Sequence, residues 1–288
     1  MAWNAWTLIK NAAMAFIDDG ALSRGAAIAF YAVTSTGPVL LIVVAVAGLV
    51  YGEEAARGAL MQHLTGMMGP ESARFLEAAI GSASNRGTGV MATIIGGVSL
   101  LITASGVFGE MQTALNAIWR AEPEGSTIGN LIKARLTSLG LVVALGFLLL
   151  VSLLLGAAIA TVGQALSQFS TFAVVFLQIA NFLLSILLIG VVIAAIYKVL
   201  PDRDLRWRDV AVGAIVTAIL INIGKLGIGI YIGSSGIASS YGAAGSVLAA
   251  LLWVYYSAQI FLFGAEFTRV WAEANGGFRV RERRPAQA

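Results

Sequence analysis

Long runs of apolar residues, separated by short polar segments, dominate the pattern of this chain. Six of the runs reach the length of about 20 residues that a helix needs to cross the hydrocarbon core of a bilayer. They are Ala26–Val50, Val90–Gly109, Leu136–Val162, Phe172–Lys198, Val210–Gly233 and Gly245–Val270. The pattern therefore predicts an all-α fold. We expect a polytopic membrane helical bundle with six transmembrane helices, forming a single domain over residues 1–272.

Two further segments place apolar residues on one helical face. In Trp3–Asp18 that face includes Trp6 and Ile9, which predicts an N-terminal interfacial helix anchored by indole rings. The segment Glu53–Arg86 has apolar residues before and after Pro70, and it predicts two short amphipathic helices on the outer face. Packing of these helices onto the bundle is the alternative for both segments.

Composition and charge agree with a membrane protein and give it an orientation. Apolar residues make up 58% of the 288 positions and charged residues 11%, against about 25% charged in a soluble domain. Cytoplasmic segments of membrane proteins are rich in Lys and Arg. With the N-terminus inside, the cytoplasmic segments hold Lys10, Arg24, Arg120, Lys133, Arg135, Lys198, Arg203, Arg206, Arg208, Arg269, Arg279, Arg281, Arg283 and Arg284. The outer segments hold Arg57, Arg74 and Arg86. We therefore expect both termini in the cytoplasm, with residues 273–288 forming a basic tail.

Polar residues inside the predicted spans are the best functional signal, because they are costly in hydrocarbon. Lys225 lies in the fifth span, eight residues before Gly233, which is roughly 12 Å along a helix. Asn222 shares its helical face. An ammonium group at this depth could contact an anionic ligand such as a lipid phosphate. The alternatives are a lysine that snorkels outward and a helix that ends early within Gly224–Gly229.

Other polar positions extend the predicted substrate-binding site and suggest a gate. The first span carries a mid-membrane proline kink, and the fourth and sixth spans carry amides at comparable depths. The residues concerned are Ser35, Thr36, Pro38, Gln178, Asn181 and Gln259. An ordinary kink and amides that join neighbouring helices are the alternatives. Gln112 and Asn116 share a helix face that leads to Arg120, and this face could gate a cytoplasmic opening. Packing of that helix along the membrane is the alternative.

Four stretches of the chain resemble the YihY/BrkB family of bacterial inner-membrane proteins, also catalogued under the label "ribonuclease BN". They are Arg24–Pro38, Ser105–Trp119, the segment that begins Tyr197-Lys-Val-Leu-Pro-Asp202, and Ser240–Phe267. Their order and spacing cover roughly residues 10–272, and the segment around 53–86 matches only in character. The resemblance implies a six-helix fold in the bacterial inner (plasma) membrane. The family's labels include tRNA processing, serum-resistance virulence factor and transport or lipid handling, and they supply no catalytic residues.

We therefore expect a non-enzymatic membrane protein that handles or transports a lipid or another amphiphile. Its partners would be anionic membrane lipids, with no cofactor, no bound metal and no nucleic acid. A structural or partner-scaffold role is the alternative.

Ribonuclease activity is a distant third possibility. The chain has no cysteine, and its single histidine, His63, falls on the predicted outer side. Asp202 and Asp204 give only a weak metal signal, because adjacent arginines could satisfy these carboxylates and that of Asp209.

Overall fold

The structure is a computed structural model, which describes residues 4–84, 106–121, 171–234 and 244–276, together with residues 140, 151, 161 and 241. The secondary structure in the four long ranges is helical, as predicted. The helices are α1 (Ala5–Asp18), α2 (Ala21–Tyr51), α3 (Glu53–Ser84), α4 (106–118), α5 (Thr171–Val199), α6 (Trp207–Ser234) and α7 (Gly245–Ala274).

Four of the six predicted spans fall on these helices. Residues 26–50 lie in α2, 172–198 in α5, 210–233 in α6 and 245–270 in α7. Within the described residues, three segments are apolar and long enough to cross a membrane: Ile179–Val199, Trp207–Ile232 and Gly245–Ala274. The predicted span 136–162 lies outside the described residues except for single positions, as does 90–109 up to residue 105. The total of six spans stays a prediction.

Helices α5 and α6 expose continuous apolar stripes. On α5 the stripe consists of Ile179, Leu183, Leu187 and Val191, and on α6 of Ile215, Ile219, Ile223, Leu226 and Ile230. The spacing of three or four residues keeps each stripe on one side of its helix. An exposed apolar surface of this extent would be unfavourable in water and favourable against lipid chains. The fold therefore supports a membrane protein by surface as well as by composition.

The centre of the described bundle lies where α4, α5, α6 and α7 meet. Trp119, Tyr197 and Leu262 belong to one buried cluster there. Helix α6 packs between α5 and α7, and α7 also contacts α1, α2 and α3. Because α7 has so many neighbours, a group on α7 can interact with most of the described helices.

Helices α2 and α3 form an adjacent pair joined at Gly52. Leu40 and Val44 of α2 pack with Leu60 and Leu76 of α3 in a buried cluster. Helix α3 is broken at Gly69, which has φ +82° and ψ 164°, directly before Pro70. A positive φ is accessible to glycine at little cost. The segment is thus two helices with a break at the predicted place, and its buried side packs against the bundle.

The N-terminal helix α1 rests on α7. Leu8 and Ala12 of α1 are buried against Val270, while Trp6 and Ile17 are 74% and 68% exposed. Gly20, with φ +65°, separates α1 from α2. One side of α1 therefore packs onto the bundle, as the alternative interpretation of this segment proposed. The exposed side retains the apolar residues expected of an interfacial helix.

Candidate functional site

A buried polar group joins α5 to α6. The side chain of Asn222 is buried, with a relative exposure of 1%. Its Oδ1 accepts a hydrogen bond of 2.9 Å from Lys225 Nζ and one of 3.3 Å from Ser185 Oγ. Its Nδ2 donates to the main-chain oxygen of Ala218 at 2.9 Å. We call these three side chains the Lys225 site.

The structure excludes one alternative interpretation of Lys225, the early end of its helix, and argues against the other, an outward-snorkelling lysine. Helix α6 continues to Ser234, so the interpretation that it ends early within Gly224–Gly229 is wrong. Lys225 bends back toward Asn222, which lies one turn nearer the start of the helix. A snorkelling lysine would direct its ammonium group toward the closer helix end instead. Lys225 therefore keeps its charge inside the apolar length of α6.

The ammonium group of Lys225 lies at the boundary between the packed helices and the exposed apolar surface. Gly224 packs against α7, because a Cβ atom at that position would lie 2.9 Å from Cε1 of Tyr256. On the other side, Ile223 and Leu226 belong to the exposed apolar stripe of α6. Lys225 itself is half-buried. The site can thus meet an anionic group that approaches along the lipid-facing surface.

The other predicted substrate-binding residues with described side chains are Ser35, Asn181 and Gln259, and they form no hydrogen bond to this site. Ser35 is buried, and its Oγ donates to the carbonyl of Ala32 within its own helix at 3.2 Å. Gln259 donates to the main-chain oxygen of Leu22 at 3.2 Å, so it joins α7 to the start of α2. Asn181 is exposed on α5. The side chains of Thr36, Pro38 and Gln178 lie outside the described residues. Among the predicted substrate-binding residues with described side chains, a hydrogen bond links Lys225 to Asn222.

Ser185 was missed by the sequence reasoning. A single serine in an apolar run carries little information, because its hydroxyl can bond to its own helix. Only the packing of α5 on α6 brings it to Asn222, 37 positions further along the chain.

The predicted gating residues form contacts that hold α4 in place. Gln112 Nε2 lies 3.2 Å from both carboxylate oxygens of Asp202, and Asn116 Nδ2 lies 2.8 Å from Oδ2. The main-chain nitrogen of Asp202 donates back to Asn116 Oδ1 at 2.8 Å. Arg120, with φ +51°, forms an ion pair of 2.7 Å with Asp19. These contacts fasten α4 to the α5–α6 connection and to the α1–α2 turn.

The three aspartates near the start of α6 have separate partners. Asp202 binds the amides of α4, Asp204 lies 3.5 Å from Lys198, and Asp209 lies 2.8 Å from Arg206 Nε. The hydrogen bond that Arg206 donates to the Asp209 carboxylate raises the pKa of Arg206. Within the described residues, no group of three or more His, Cys, Asp and Glu side chains is arranged to hold a metal ion.

A second charged cluster lies where α1, α4 and α7 meet. Arg269 Nη2 contacts Glu266 Oε2 at 2.7 Å and Asp19 Oδ2 at 3.5 Å, and Arg269 Nη1 lies 3.5 Å from Glu273. The spacing of Glu266, Arg269 and Glu273 places them on one face of α7. The sequence shows this spacing. It does not show that Asp19, which is 250 positions from Arg269, approaches the same face.

The described residues are helical, expose apolar stripes and include three segments long enough to cross a bilayer, and these features define a helical membrane protein. A model of the virulence factor BrkB family matches residues 12–288. The chain belongs to this family, as its resemblance to YihY/BrkB proteins implied.

Relatives of the chain are UPF0761 membrane proteins. One from Rhodospirillum centenum is 26% identical over 94% of this chain and 58% of the relative. One from Alteromonas mediterranea is 32% identical over 62% of this chain and 59% of the relative. One from Tolumonas auensis is 36% identical over 32% of this chain and 31% of the relative. The chain thus matches less than two thirds of the length of these relatives. No solved structure matches it.

Proposed function

We propose that this protein is a six-span protein of the bacterial inner membrane that handles or transports an anionic lipid or a similar amphiphile without catalysing a reaction. Both termini would lie in the cytoplasm. The observation that carries the proposal is Lys225, a cation within the apolar length of α6 whose hydrogen-bond partner is the neutral amide of Asn222.

The electrostatics favour an anionic ligand at this position. An ammonium group in hydrocarbon is costly, and a neutral carbonyl compensates only part of that cost. Among the described side chains, no carboxylate makes an ion pair with Lys225. A phosphate group would supply the missing negative charge and accept the hydrogen bonds that Lys225 can still donate.

The geometry favours a ligand with an apolar tail. The apolar stripe of α6 passes directly beside Lys225, and Ile223 and Leu226 flank it. An acyl chain could follow this stripe while its head group contacts the ammonium and the Ser185 hydroxyl. In this proposal the ligands are membrane lipids, with no cofactor and no nucleic acid. Gln112, Asn116 and Arg120 would control access from the cytoplasmic end.

The decisive experiment measures lipid binding by the purified full-length chain. We expect Lys225→Ala to weaken binding of phosphatidylglycerol by roughly 10- to 100-fold, because one charge-assisted contact contributes about 1.5–3 kcal/mol. Native mass spectrometry of the protein, titrated with phosphatidylglycerol and with phosphatidylcholine, gives the two affinities. Lys225→Arg should retain most of the preference for the anionic lipid.

Lys198→Ala is the matched control. Lys198 lies at the end of α5, where Nζ donates to the main-chain oxygen of Leu205 at 2.7 Å and pairs with Asp204 at 3.5 Å. Its charge is already compensated, so its removal should leave lipid preference unchanged. Equal binding by wild type and Lys225→Ala would contradict the lipid site.

A structural or scaffold role is the second proposal, and the close packing of α6 on α7 favours it. Gly213 faces Thr268, and Gly264 faces Thr217, at distances that leave no room for a larger side chain. Such contacts are typical of rigid helix pairs. Normal lipid binding by Lys225→Ala, together with loss of function in variants of this interface, would favour the scaffold.

Ribonuclease activity would require metal-dependent RNA cleavage that is lost in Asp202→Ala, which we do not expect.

A further inference from the structure

Five charged side chains from three parts of the chain form one cluster at the end of the bundle where α1 turns into α2. They are Asp19, Arg120, Glu266, Arg269 and Glu273. Glu266 and Asp19 are its most buried acids, with side-chain exposures of 0% and 6%. Arg120 is half-exposed and Glu273 partly exposed. The cluster is separate from the Lys225 site and shares Arg120 with the proposed cytoplasmic gate.

Arg269 is shared between the acids. Its Nε and Nη2 both donate to Glu266 Oε2, at 3.1 Å and 2.7 Å. The same Nη2 lies 3.5 Å from Asp19 Oδ2. The other oxygen of Glu266, Oε1, is buried and meets no hydrogen-bond donor. One guanidinium thus serves two buried carboxyl groups and leaves one carboxyl oxygen unsatisfied.

Asp19 and Glu266 also converge on the same atom. Both carboxyl groups contact Nη2 of Arg269, at 3.5 Å and 2.7 Å, so the two acids share one edge of a single guanidinium group. Two carboxylates have only acceptors, so they can form a hydrogen bond only when one of them carries a proton. Two carboxylates that share a buried site also cannot both stay ionised without a large electrostatic cost.

We propose that Asp19 and Glu266 form a proton-binding pair, in which one proton held between the two carboxyl groups links the α1–α2 turn to α7. The proton comes from water, and its binding changes the charge of the pair from −2 to −1. It supplies the donor that Oε1 of Glu266 otherwise lacks. Loss of the proton leaves two adjacent carboxylates, which repel each other and push the α1–α2 turn away from α7.

The neighbouring charges offset part of the repulsion between the two acids but give Oε1 of Glu266 no hydrogen-bond donor. Arg120 reaches the side chain of Asp19 from the end of α4, at the oxygen that does not contact Arg269. Arg24, on α2, donates to the main-chain oxygen of Asp19 at 3.1 Å. Arg203 donates to the main-chain oxygens of Trp119 and Arg120. Glu273, which approaches Arg269 from the next turn of α7, adds negative charge.

Infrared spectroscopy of the full-length chain in lipid nanodiscs tests the proposal directly. A protonated carboxyl group has a carbonyl stretching band that an ionised carboxylate lacks. We expect the wild type to show such a band at neutral pH and to lose it on alkaline titration. Glu266→Gln and Asp19→Asn should each lack the band, because either variant removes one half of the pair. Glu273→Gln is the matched control and should retain it.

Thermal unfolding gives a second readout that separates a proton site from an ordinary ion pair. The native pair binds a proton that the unfolded chain releases, so wild-type stability should fall as pH rises from about 5 to about 8. In Glu266→Gln, a neutral amide takes the place of the protonated carboxyl group, so the pair no longer binds a proton. This variant should therefore have a flatter dependence on pH and a higher Tm than the wild type at about pH 8.

The opposite results would overturn the proposal. If Glu266 is an ionised partner of Arg269, Glu266→Gln lowers the Tm at every pH, because it leaves a buried guanidinium without its counter-charge. If the pair holds a sodium or potassium ion, the wild-type Tm follows the concentration of that ion at constant pH and no protonated carboxyl band is present. Should Glu266→Gln fail to fold, the band and the Tm of Asp19→Asn decide the question.

Discussion

At the scale of single residues, the packing between α5, α6 and α7 depends on a hydroxyl network fitted around glycine. Tyr197 Oη donates to the main-chain oxygen of Phe261 at 2.5 Å and lies 3.2 Å from Thr217 Oγ1. Thr217 is itself fixed by a hydrogen bond of 2.7 Å to the carbonyl of Gly213. Because every hydroxyl in this network is buried, a shift of one side chain leaves a polar atom unsatisfied.

Gly264 is the position where this network is most sensitive. A Cβ atom there would collide with Oγ1 of Thr217 and lie 2.8 Å from Tyr197 Oη. We expect Gly264→Ala to lower the free energy of unfolding by about 1–3 kcal/mol through overpacking. Gly227→Ala is the control, because nothing lies within 4 Å of its Cβ position. It should leave stability unchanged or raise it by up to about 1 kcal/mol. Denaturant unfolding in detergent measures both variants, and equal effects would contradict the packing argument.

Some contacts of single residues could be predicted from the sequence, and others could not. The pairing of Lys225 with Asn222 followed from a spacing of three residues on one helix. The separation of Gln259 from Lys225 could not be foreseen, because both lie in apolar spans and only the packing determines which helix each amide meets. The same limit applies to Gly264 and Gly227, which are alike in sequence and opposite in surroundings.

At the scale of helices, the described boundaries agree with the sequence where an apolar run ends at charged or polar residues. The predicted span 172–198 corresponds to α5, Thr171–Val199, and 210–233 to α6, Trp207–Ser234. The predicted break near Pro70 lies at Gly69. How helices are fastened to one another was harder to predict. Partners such as Asn116 and Asp202 are 86 positions apart and meet only in the folded chain.

Helix α4 is fastened to the α5–α6 connection mainly through Asp202. Removal of this carboxylate eliminates the hydrogen bonds from Gln112 and Asn116. Each such bond contributes about 1 kcal/mol, so the loss of two bonds should increase amide hydrogen exchange in residues 106–118 of Asp202→Ala by roughly thirtyfold. Hydrogen exchange followed by mass spectrometry of the protein in nanodiscs measures this change.

Asp204→Ala provides the comparison for α4. Asp204 is exposed and pairs with Lys198 at 3.5 Å, and a surface pair of this kind contributes about 0–1 kcal/mol. Exchange in residues 106–118 should therefore stay at the wild-type rate. If Asp202→Ala leaves exchange unchanged as well, α4 is held by its buried residues Leu115 and Ile118, and by Trp119 directly after it, rather than by the carboxylate.

At the scale of the whole molecule, the basic segments collect at one end. Arg120 meets Asp19 of the α1–α2 turn, Arg203 reaches the end of α4, and Arg206 contacts the main-chain oxygen of Asn275 after α7. Helix α3, which holds Arg57 and Arg74, follows α2 at its far end. An arrangement in which the basic end faces the cytoplasm is the one that the positive-inside rule favours.

Because the sequence has no cysteine, this orientation can be tested with single introduced thiols. Thr65 on α3 and Tyr241 before α7 are exposed and belong to predicted outer segments, whereas Asn275 is exposed at the basic end. With six spans and both termini inside, a membrane-impermeant maleimide should label Thr65→Cys and Tyr241→Cys in right-side-out vesicles. It should label Asn275→Cys in inverted vesicles, because a charged reagent cannot cross the hydrocarbon core. The reverse pattern would contradict the orientation. Labelling of Thr65→Cys and Tyr241→Cys from opposite sides would instead contradict the even number of spans between them, and with it the six-span arrangement on which the proposed access route to Lys225 depends.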